Sequence, residues 1–347
     1  MKLLLISVRS EVSRGGIATW TDRFLNACEA HGISSVLVNT ELVGKRREKG
    51  TAGRNLLDEI ARTRRIFRDL RNALKGEAYD AAHLNTSCGT FGLFRDLLAA
   101  RKIKKKGLRL VTHFHCDVPD WIGNPVSKWA LHRLVALSDE RLVLCENSRQ
   151  YLESTFGASS HKIPNFLDDD MIRTDERPTR DTLSTAFFVG RVSEAKGARE
   201  LYEMAERLPH ITFRLAGAVS DTVAAWEKPE NITFVGSMPH AEVLCEMDRA
   251  DIFVFPSHSE GFSLALTEAM ARGLPPIATD VGANADMLAN GCGIVVKKGD
   301  VDAMVKAVER LADPAARKEI SRRAVQRVRE EYATHIILEQ IKTYYQG

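Results

Sequence analysis

Three stretches of the chain carry residue types and spacings suited to chemistry on a bound anion. The first is Ser13-Arg14-Gly15-Gly16-Ile17. Adjacent glycines let a backbone turn approach a ligand closely, and the N–H groups of a helix starting there would face an anion. The second is Gly190-Arg191-Val192-Ser193-Glu194-Ala195-Lys196-Gly197. Arg191 and Lys196 can converge on one phosphate group and stabilise the charge that develops on a departing diphosphate. The third runs from Pro256 through Glu260-Gly261-Phe262-Ser263-Leu264 to Glu268. Seven residues separate the two glutamates, about two helical turns, so both carboxylates can face one pocket. A carboxylate accepts hydrogen bonds from vicinal hydroxyls, which suits Glu268 to a ribose and Glu260 to a sugar. The N–H groups of Phe262, Ser263 and Leu264, at a helix start, suit a diphosphate. Each stretch also has a plainer reading: a structural strand–helix turn, two solvated cations, acidic residues at a generic helix start.

Such loops need rigid elements beneath them. Short apolar runs alternate with longer helical patterns throughout, as in parallel α/β architecture. Strands are predicted at residues 3–8, 35–39, 81–85, 109–114 and 141–145, then at 186–189, 212–216, 233–235, 252–255, 276–279 and 293–296. The three stretches therefore each follow a strand and open a helix. Ile17, Trp20, Phe24 and Cys28 form one apolar helical face; Leu56, Leu57, Ile60, Phe67, Leu70 and Leu74 form another, read as core packing. Further helices are predicted at 199–208, 241–249, 263–271 and 301–311, with a long charged stretch over 315–345.

At 347 residues the chain is too long for one ordinary core and fits two domains of roughly 150 residues. Pro164, Asn165, Asp168-Asp169-Asp170 and Pro178 interrupt the periodicity between the halves. The aspartates resemble a D-x-D metal–nucleotide motif but sit where a linker belongs. Asn147 or Ser148 is expected to cap the helix after the fifth strand. Apolar content of 44% with 27% charged residues is ordinary globular composition. The six cysteines, Cys28, Cys88, Cys116, Cys145, Cys245 and Cys292, lack metal-ligand spacing and read as buried thiols in a reducing compartment. The apolar start is short and interrupted by Arg9 and Glu11, so it reads as a buried strand rather than a signal peptide. No stretch approaches the ~18 uncharged apolar residues of a membrane span.

Net charge is +3, unevenly spread: residues 1–170 hold 27 Lys+Arg against 20 Asp+Glu, the remainder 22 against 26. Basic clusters fall at Lys45-Arg46-Arg47, at Arg62, Arg64, Arg65, Arg68 and Arg71, and over residues 101–106. Singly they read as solvated faces; together they make the first half a candidate for contact with anionic phospholipid or a lipid-diphosphate acceptor. Nucleic acid is not expected, since no aromatic interleaving or binding module accompanies the charge.

Taken in order, Gly15-Gly16, Gly190-Arg191 to Lys196-Gly197, Phe234-Val235-Gly236 and Glu260-x7-Glu268 within SEGFSLALTEAMARGLPPIATDVGA resemble the retaining GT-B glycosyltransferases of glycosyltransferase family 4, with its "glycosyl transferases group 1" C-terminal domain. The likeness spans nearly the whole chain and is more specific in its second half. It implies an α/β fold of two Rossmann-like doubly wound domains facing across a cleft. Residues 1–166 would form the acceptor-side domain, 178–329 the nucleotide-sugar domain, with a C-terminal helix of about 330–347 returning to the first. By the same likeness Arg191 and Lys196 would hold the donor diphosphate and Glu268 the ribose. Glu260 and the amides of Phe262, Ser263 and Leu264 would contact the transferred sugar and phosphates. Gly236, Ser237 and Met238 would border the base. Where many relatives read Glu-Gly-Phe-Gly-Leu-Pro, this chain has Ser263 and Ala265, which puts the local loop shape in question. In Thr112-His113-Phe114-His115-Cys116-Asp117 a histidine near the sugar hydroxyls is implied. His115 is the first choice and His113 the second, since strand alternation points both to one side. A metal site there is not expected, because neighbouring strand residues cannot all face one ion.

The function so implied is transfer of a sugar, with retention of anomeric configuration, from a nucleotide-diphosphate donor to an acceptor. No cofactor or metal is expected. The acceptor is a glycan, a lipid-linked species or a small molecule, in surface-polysaccharide or lipid-linked glycan synthesis. The setting is the cytoplasm or the inner membrane face. Two rivals stand beside this reading. An epimerase or phosphorylase of the same fold fits less well, given the Glu-x7-Glu spacing and the short chain. A non-catalytic sugar-nucleotide binder would not need Arg191, Lys196, Glu260 and Glu268 intact, and a periplasmic binding protein would need a signal peptide.

Overall fold

The run Leu3-Leu4-Leu5-Ile6 is wholly buried, as a strand covered on both faces must be. It anchors a first sheet of six parallel strands: β1 (Lys2–Ser7), β2 (Ser34–Asn39), β3 (Ala81–Thr86), β4 (Arg109–Phe114), β5 (Glu140–Val143) and β6 (His161–Lys162). The computed structural model describes residues 1–9, 15–42 and 56–346, with the side chain of Leu56 excepted. Ser13, Arg14 and the cluster Lys45-Arg46-Arg47 lie outside the described residues. The second sheet is also six-stranded and parallel: β7 (Thr185–Val189), β8 (Thr212–Ala216), β9 (Ile232–Gly236), β10 (Ile252–Phe255), β11 (Pro276–Thr279) and β12 (Ile294–Val296). Each sheet, with helices between its strands, is an α/β, doubly wound Rossmann-like unit.

Strand order decides where each unit can bind. The first sheet runs β2-β1-β3-β4-β5-β6 and the second β12-β11-β10-β7-β8-β9. Right-handed crossovers send successive helices to one face until the order reverses, and there the carboxyl ends of two neighbouring strands open a crevice. The reversal falls between β1 and β3 in the first unit, and between β7 and β10 in the second. The loops after β7 and β10 are those carrying Lys196 and Glu260.

Chain contacts divide the molecule at Asn165: unit 1 is Met1–Asn165 plus Thr334 onward, and unit 2 is Phe166–Ala333. Residues after the crossing are held to unit 2 by Arg177, a buried guanidinium that donates to the carbonyls of Met247, Asp248, Ala250 and Arg272 at 2.7–3.1 Å. Burial pushes its pKa down to about 10. Asp169–Met171 is a short 3-10 turn beside this crossing, within unit 2. The charged stretch over 315–345 is three elements rather than one: helix Pro314–Arg327, a π-type turn Val328–Tyr332, and helix Thr334–Gln346. That last helix packs on helix Gly16–Ala30 and on β3 and β4. Its Tyr345 hydroxyl lies 2.6 Å from His83 Nδ1, and its Tyr344 carbonyl accepts from Arg109 Nε at 2.8 Å.

Three expectations are corrected. Leu57 and Ile60, read as core, are exposed on helix Leu56–Gly76, while Ile66 and Leu70 supply its buried face. Cys245 is exposed; the other five cysteines are buried, and all six are free thiols. Asn147 and Ser148 do not cap helix Glu146–Phe156, whose cap position is Cys145. Both side chains donate to the Asp117 carboxylate instead, at 2.8 and 2.9 Å.

Tyr345→Phe removes the partner of a buried His83 nitrogen and should cost about 1–3 kcal/mol of stability. A chemical-denaturation midpoint equal to that of the unsubstituted protein would show that this bond does not fasten the C-terminal helix.

Candidate active site

In unit 2 the loops after β7 and β10 are tied together by their own backbones. The loop after β7 closes with a 3-10 turn Glu194–Lys196, and the Ala195 carbonyl accepts from the His258 N–H at 3.1 Å. Gly197 follows at φ +82°, where a Cβ would stand 2.2 Å from the Pro256 carbonyl oxygen. Only glycine lets the two loops touch there. On the other side Gly282, at φ +55°, lies so close to the loop after β10 that a Cβ would stand 2.2 Å from the Glu260 carbonyl oxygen. The Ala283 N–H donates to the Gly261 carbonyl at 3.0 Å. Glu260 is thus clamped from both flanks.

The side chains follow from this clamp. Lys196 Nζ meets Glu260 Oε1 at 2.5 Å, so these two predicted residues are brought into direct contact. Arg191 stands exposed at the start of the same loop, with no ion pair among the described residues. Ser263 caps helix Leu264–Ala271: its hydroxyl accepts from the Leu266 N–H at 3.2 Å, and its backbone is extended. A serine here does what a good N-cap does, so the departure from Gly leaves the helix start intact. Phe262 is buried edge-on against Tyr332, ring centroids 5.4 Å apart, and Leu264 is half-buried. Glu268, one turn further along, is buried and does not share Lys196; its Oε1 lies 3.1 Å from His240 Nε2. His240 opens helix His240–Arg249, directly after Gly236, Ser237 and Met238. Through His240 the loop predicted to border a base is carried to the carboxylate predicted to hold a ribose.

In unit 1, His113 and His115 share one side of β4, their rings 4.1 Å apart. The structure separates them by depth. His113 is fully buried, with Nε2 3.3 Å from the Ile163 carbonyl, while His115, just past the strand end, is half-buried. His115 belongs to a polar chain. Asn85 Oδ1 accepts from Nε2 of both His83 and His115 at 2.9 and 3.0 Å, and Asn85 Nδ2 donates to Ser7 Oγ at 2.9 Å. Ser7 and Thr21 hydroxyls are 2.6 Å apart, and Thr21 donates to the Ile17 carbonyl at 2.8 Å. Trp20 meets all three imidazoles at centroid distances of 5.0–5.5 Å, tilted to His83 and edge-on to His113 and His115. Burial pushes the pKa of His83 and of His115 down to about 3, and that of His113 well below its ordinary value. All three rings are neutral, so they exchange hydrogen bonds and carry no charge.

Gly15 and Gly16 open helix Gly16–Ala30, the helix that carries Thr21 to Ser7. Neither needs to be glycine for the protein's own sake: Gly15 has φ −102°, and a Cβ on either would meet nothing within 4 Å.

Sequence reasoning missed several residues here. His258 Nε2 reaches Glu200 Oε1 at 2.6 Å, bracing the loop after β10 against helix Ala198–Arg207. Thr279 donates to the Ser257 carbonyl at 2.5 Å. His240, His83 and Asn85 were likewise unmarked, since a lone histidine shows its partner only in the folded chain. Among the described residues no three His, Cys, Asp or Glu side chains group as a metal site.

Comparison with known proteins follows this geometry. Residues 14–171 match the family model "Glycosyltransferase Family 4", and residues 173–327 match "Glycosyl transferases group 1". A 2-deoxystreptamine N-acetyl-D-glucosaminyltransferase from Niallia circulans is 26% identical over 65% of this chain and 65% of its own length. The chain spans 44–65% of the length of the first curated relatives it matches. Among solved structures, sucrose-phosphate synthase from Thermosynechococcus elongatus superposes with a TM-score of 0.78 at 18% identity, covering 99% of this chain and 98% of that one. HepE from Anabaena, in complex with UDP-glucose, gives 0.73 at 16% identity over 99% and 98%. These likenesses establish the GT-B fold.

The buried histidines make acid the weak side of unit 1. Unfolded histidine takes up its proton near pH 6.5, whereas His83 and His115 resist it down to about pH 3. Stability is therefore complete above pH 6.5 and is lost as pH falls from there toward 3. Thermal melts should drop steadily over this window, and His83→Gln should flatten the slope. A melting temperature constant from pH 7 to pH 4.5 would contradict the neutral assignment.

Proposed function

We propose that this GT-B glycosyltransferase moves a sugar from a nucleotide-diphosphate donor to an acceptor with retention of anomeric configuration, as a family 4 enzyme. The observation that supports it is the Lys196–Glu260 pair beside Arg191 and a Ser263-capped helix start, at the strand-order reversal between β7 and β10. Arg191 and Lys196 take the diphosphate, joined by the amides of Phe262, Ser263 and Leu264. Glu268 takes the ribose hydroxyls, and Gly236, Ser237 and Met238 border the base. Glu260 orients the transferred sugar, and neutral His115 meets its hydroxyls with hydrogen bonds.

Breaking the anomeric C–O bond gives an oxocarbenium-like sugar and a diphosphate anion. Two cations and oriented amides stabilise that anion without a metal. The acceptor hydroxyl attacks from the leaving-group face and passes its proton to a diphosphate oxygen. UDP-sugars lead the donor list, because a neighbour of this fold is known with UDP-glucose. The acceptor is a glycan, a lipid-linked species or a small molecule, and the setting is peripheral contact with an anionic membrane at its cytoplasmic face.

A thermal-shift screen against UDP-, GDP- and ADP-sugars should show a rise of melting temperature for one donor class, since a ligand that binds only the folded state stabilises it. Arg191→Ala and Lys196→Ala should each lower transfer about 100- to 1,000-fold. Their stabilities should stay within about 1 kcal/mol, because neither cation is buried. Unchanged transfer by either purified variant would remove the residue from the reaction.

A further inference from the structure

Helix Leu56–Gly76, helix Thr90–Lys104 and helix Pro125–Leu137 pack side by side in unit 1, Lys102 reaching over the Phe67 ring and Phe94 meeting Trp129 at 6.1 Å. Their outward face is not an ordinary solvated one. Val126, Trp129 and Leu98 are 55%, 48% and 44% exposed, and Trp121, which ends the short helix Val118–Trp121 just before the third of these helices, is 51% exposed. Val126, Trp129 and Arg133 stand three and four residues apart, on one stripe of their helix. The same helices, and the turn that ends the second, also carry exposed cations: Arg64, Arg71, Lys105, Lys106, Lys128 and Arg133, none of which makes an ion pair among the described residues. Nearby carboxylates are largely spent. Asp96 is buried against Arg95, Glu59 meets Arg62, and Asp69 meets Arg68; Asp120 stands exposed.

We propose that this three-helix face docks on an anionic lipid bilayer, with Trp121 and Trp129 seated at the headgroup level. The inference rests on the proposed function for its setting and deepens it by naming the surface. Two physical features select lipid. Tryptophan combines an apolar body with a polar N–H and partitions to the water–hydrocarbon boundary. Exposed cations beside it add attraction to acidic headgroups without desolvating a specific partner. The three helices also have no run long enough to span a bilayer, so the contact is one of surface seating.

Co-sedimentation of the full chain with phosphatidylcholine vesicles, and with vesicles containing roughly one third phosphatidylglycerol, separates the terms of this proposal. Binding should require the anionic lipid and weaken with salt, and tryptophan emission should shift to the blue on binding. Trp121→Phe with Trp129→Phe should abolish that emission shift. Trp121→Ala with Trp129→Ala should reduce partitioning at least ten-fold. Arg64→Glu or Lys128→Glu should each reduce it about five-fold or more. Donor-induced thermal shift is read on the same samples. Donor binding that persists while vesicle binding is absent overturns the docking surface alone, whereas vesicle binding without any donor shift overturns the proposed reaction alone. Equal binding to neutral and anionic vesicles, or self-association abolished by the same variants, assigns the face to another occupant and overturns the proposal.

Discussion

A parallel sheet can present a binding crevice only where its strand order reverses, and this constraint organises the chemistry of the second unit. β7 and β10 are sequence-distant neighbours whose following helices must leave to opposite faces. The loops that leave them diverge, and something must hold them in register at the point of divergence. Here the holding is covalently cheap and sterically strict. Gly197 against the Pro256 carbonyl and Gly282 against the Glu260 carbonyl allow backbone contact that a single methyl group would block. The Lys196–Glu260 pair then spans the opening at 2.5 Å. A half-exposed pair of this kind contributes about 1 kcal/mol or less to stability. Its greater consequence is positional, since it keeps an ammonium and a carboxylate poised at the loop junction. A multiply charged phosphate group competes well for such an ammonium. In the proposed function Glu260 would then be released toward hydroxyl partners, and one contact would serve both before and during binding.

Unit 1 solves a different problem. Two buried histidines, a half-buried third and a buried asparagine stand where a Rossmann-like sheet would ordinarily place aliphatic side chains. The low dielectric excludes their charged forms; Asn85, held by Ser7, gives His83 and His115 a defined partner, and the Ile163 carbonyl gives His113 one. The C-terminal helix completes the set through Tyr345. In the proposed function a neutral, oriented imidazole at the strand end would bind sugar hydroxyls, which need directional partners more than charge.

Much of this was legible in the amino-acid order. The apolar runs of β4, β8, β10 and β11 coincide with the predicted strands to the residue, because a buried parallel strand must be apolar throughout. The loops carrying Arg191, Lys196, Glu260 and Ser263 were legible for a related reason: glycine, cation and carboxylate follow a strand and open a helix. What escaped was decided at long range. β6 has two residues and no apolar run, so only pairing with β5 makes it a strand. The break at Ala333 has neither glycine nor proline and follows from the chain's return to unit 1. The partnership of His240 with Glu268, and of His258 with Glu200, joins residues whose side chains carry no local mark of each other.

The exposed residues Leu57 and Ile60 show the same limit from the other side. Periodicity reports that a helix has an apolar stripe and is silent on what that stripe meets. On helix Leu56–Gly76 the stripe divides: Ile66 and Leu70 turn to the sheet, while Leu57 and Ile60 sit on the outward face with Arg64 and Arg71. A helix that needed only to cover the sheet would place polar groups outward at both ends. Apolar tips beside unpaired cations cost solubility and return no folding energy in water. On the proposed docking face a second, apolar and anionic phase would offset that cost.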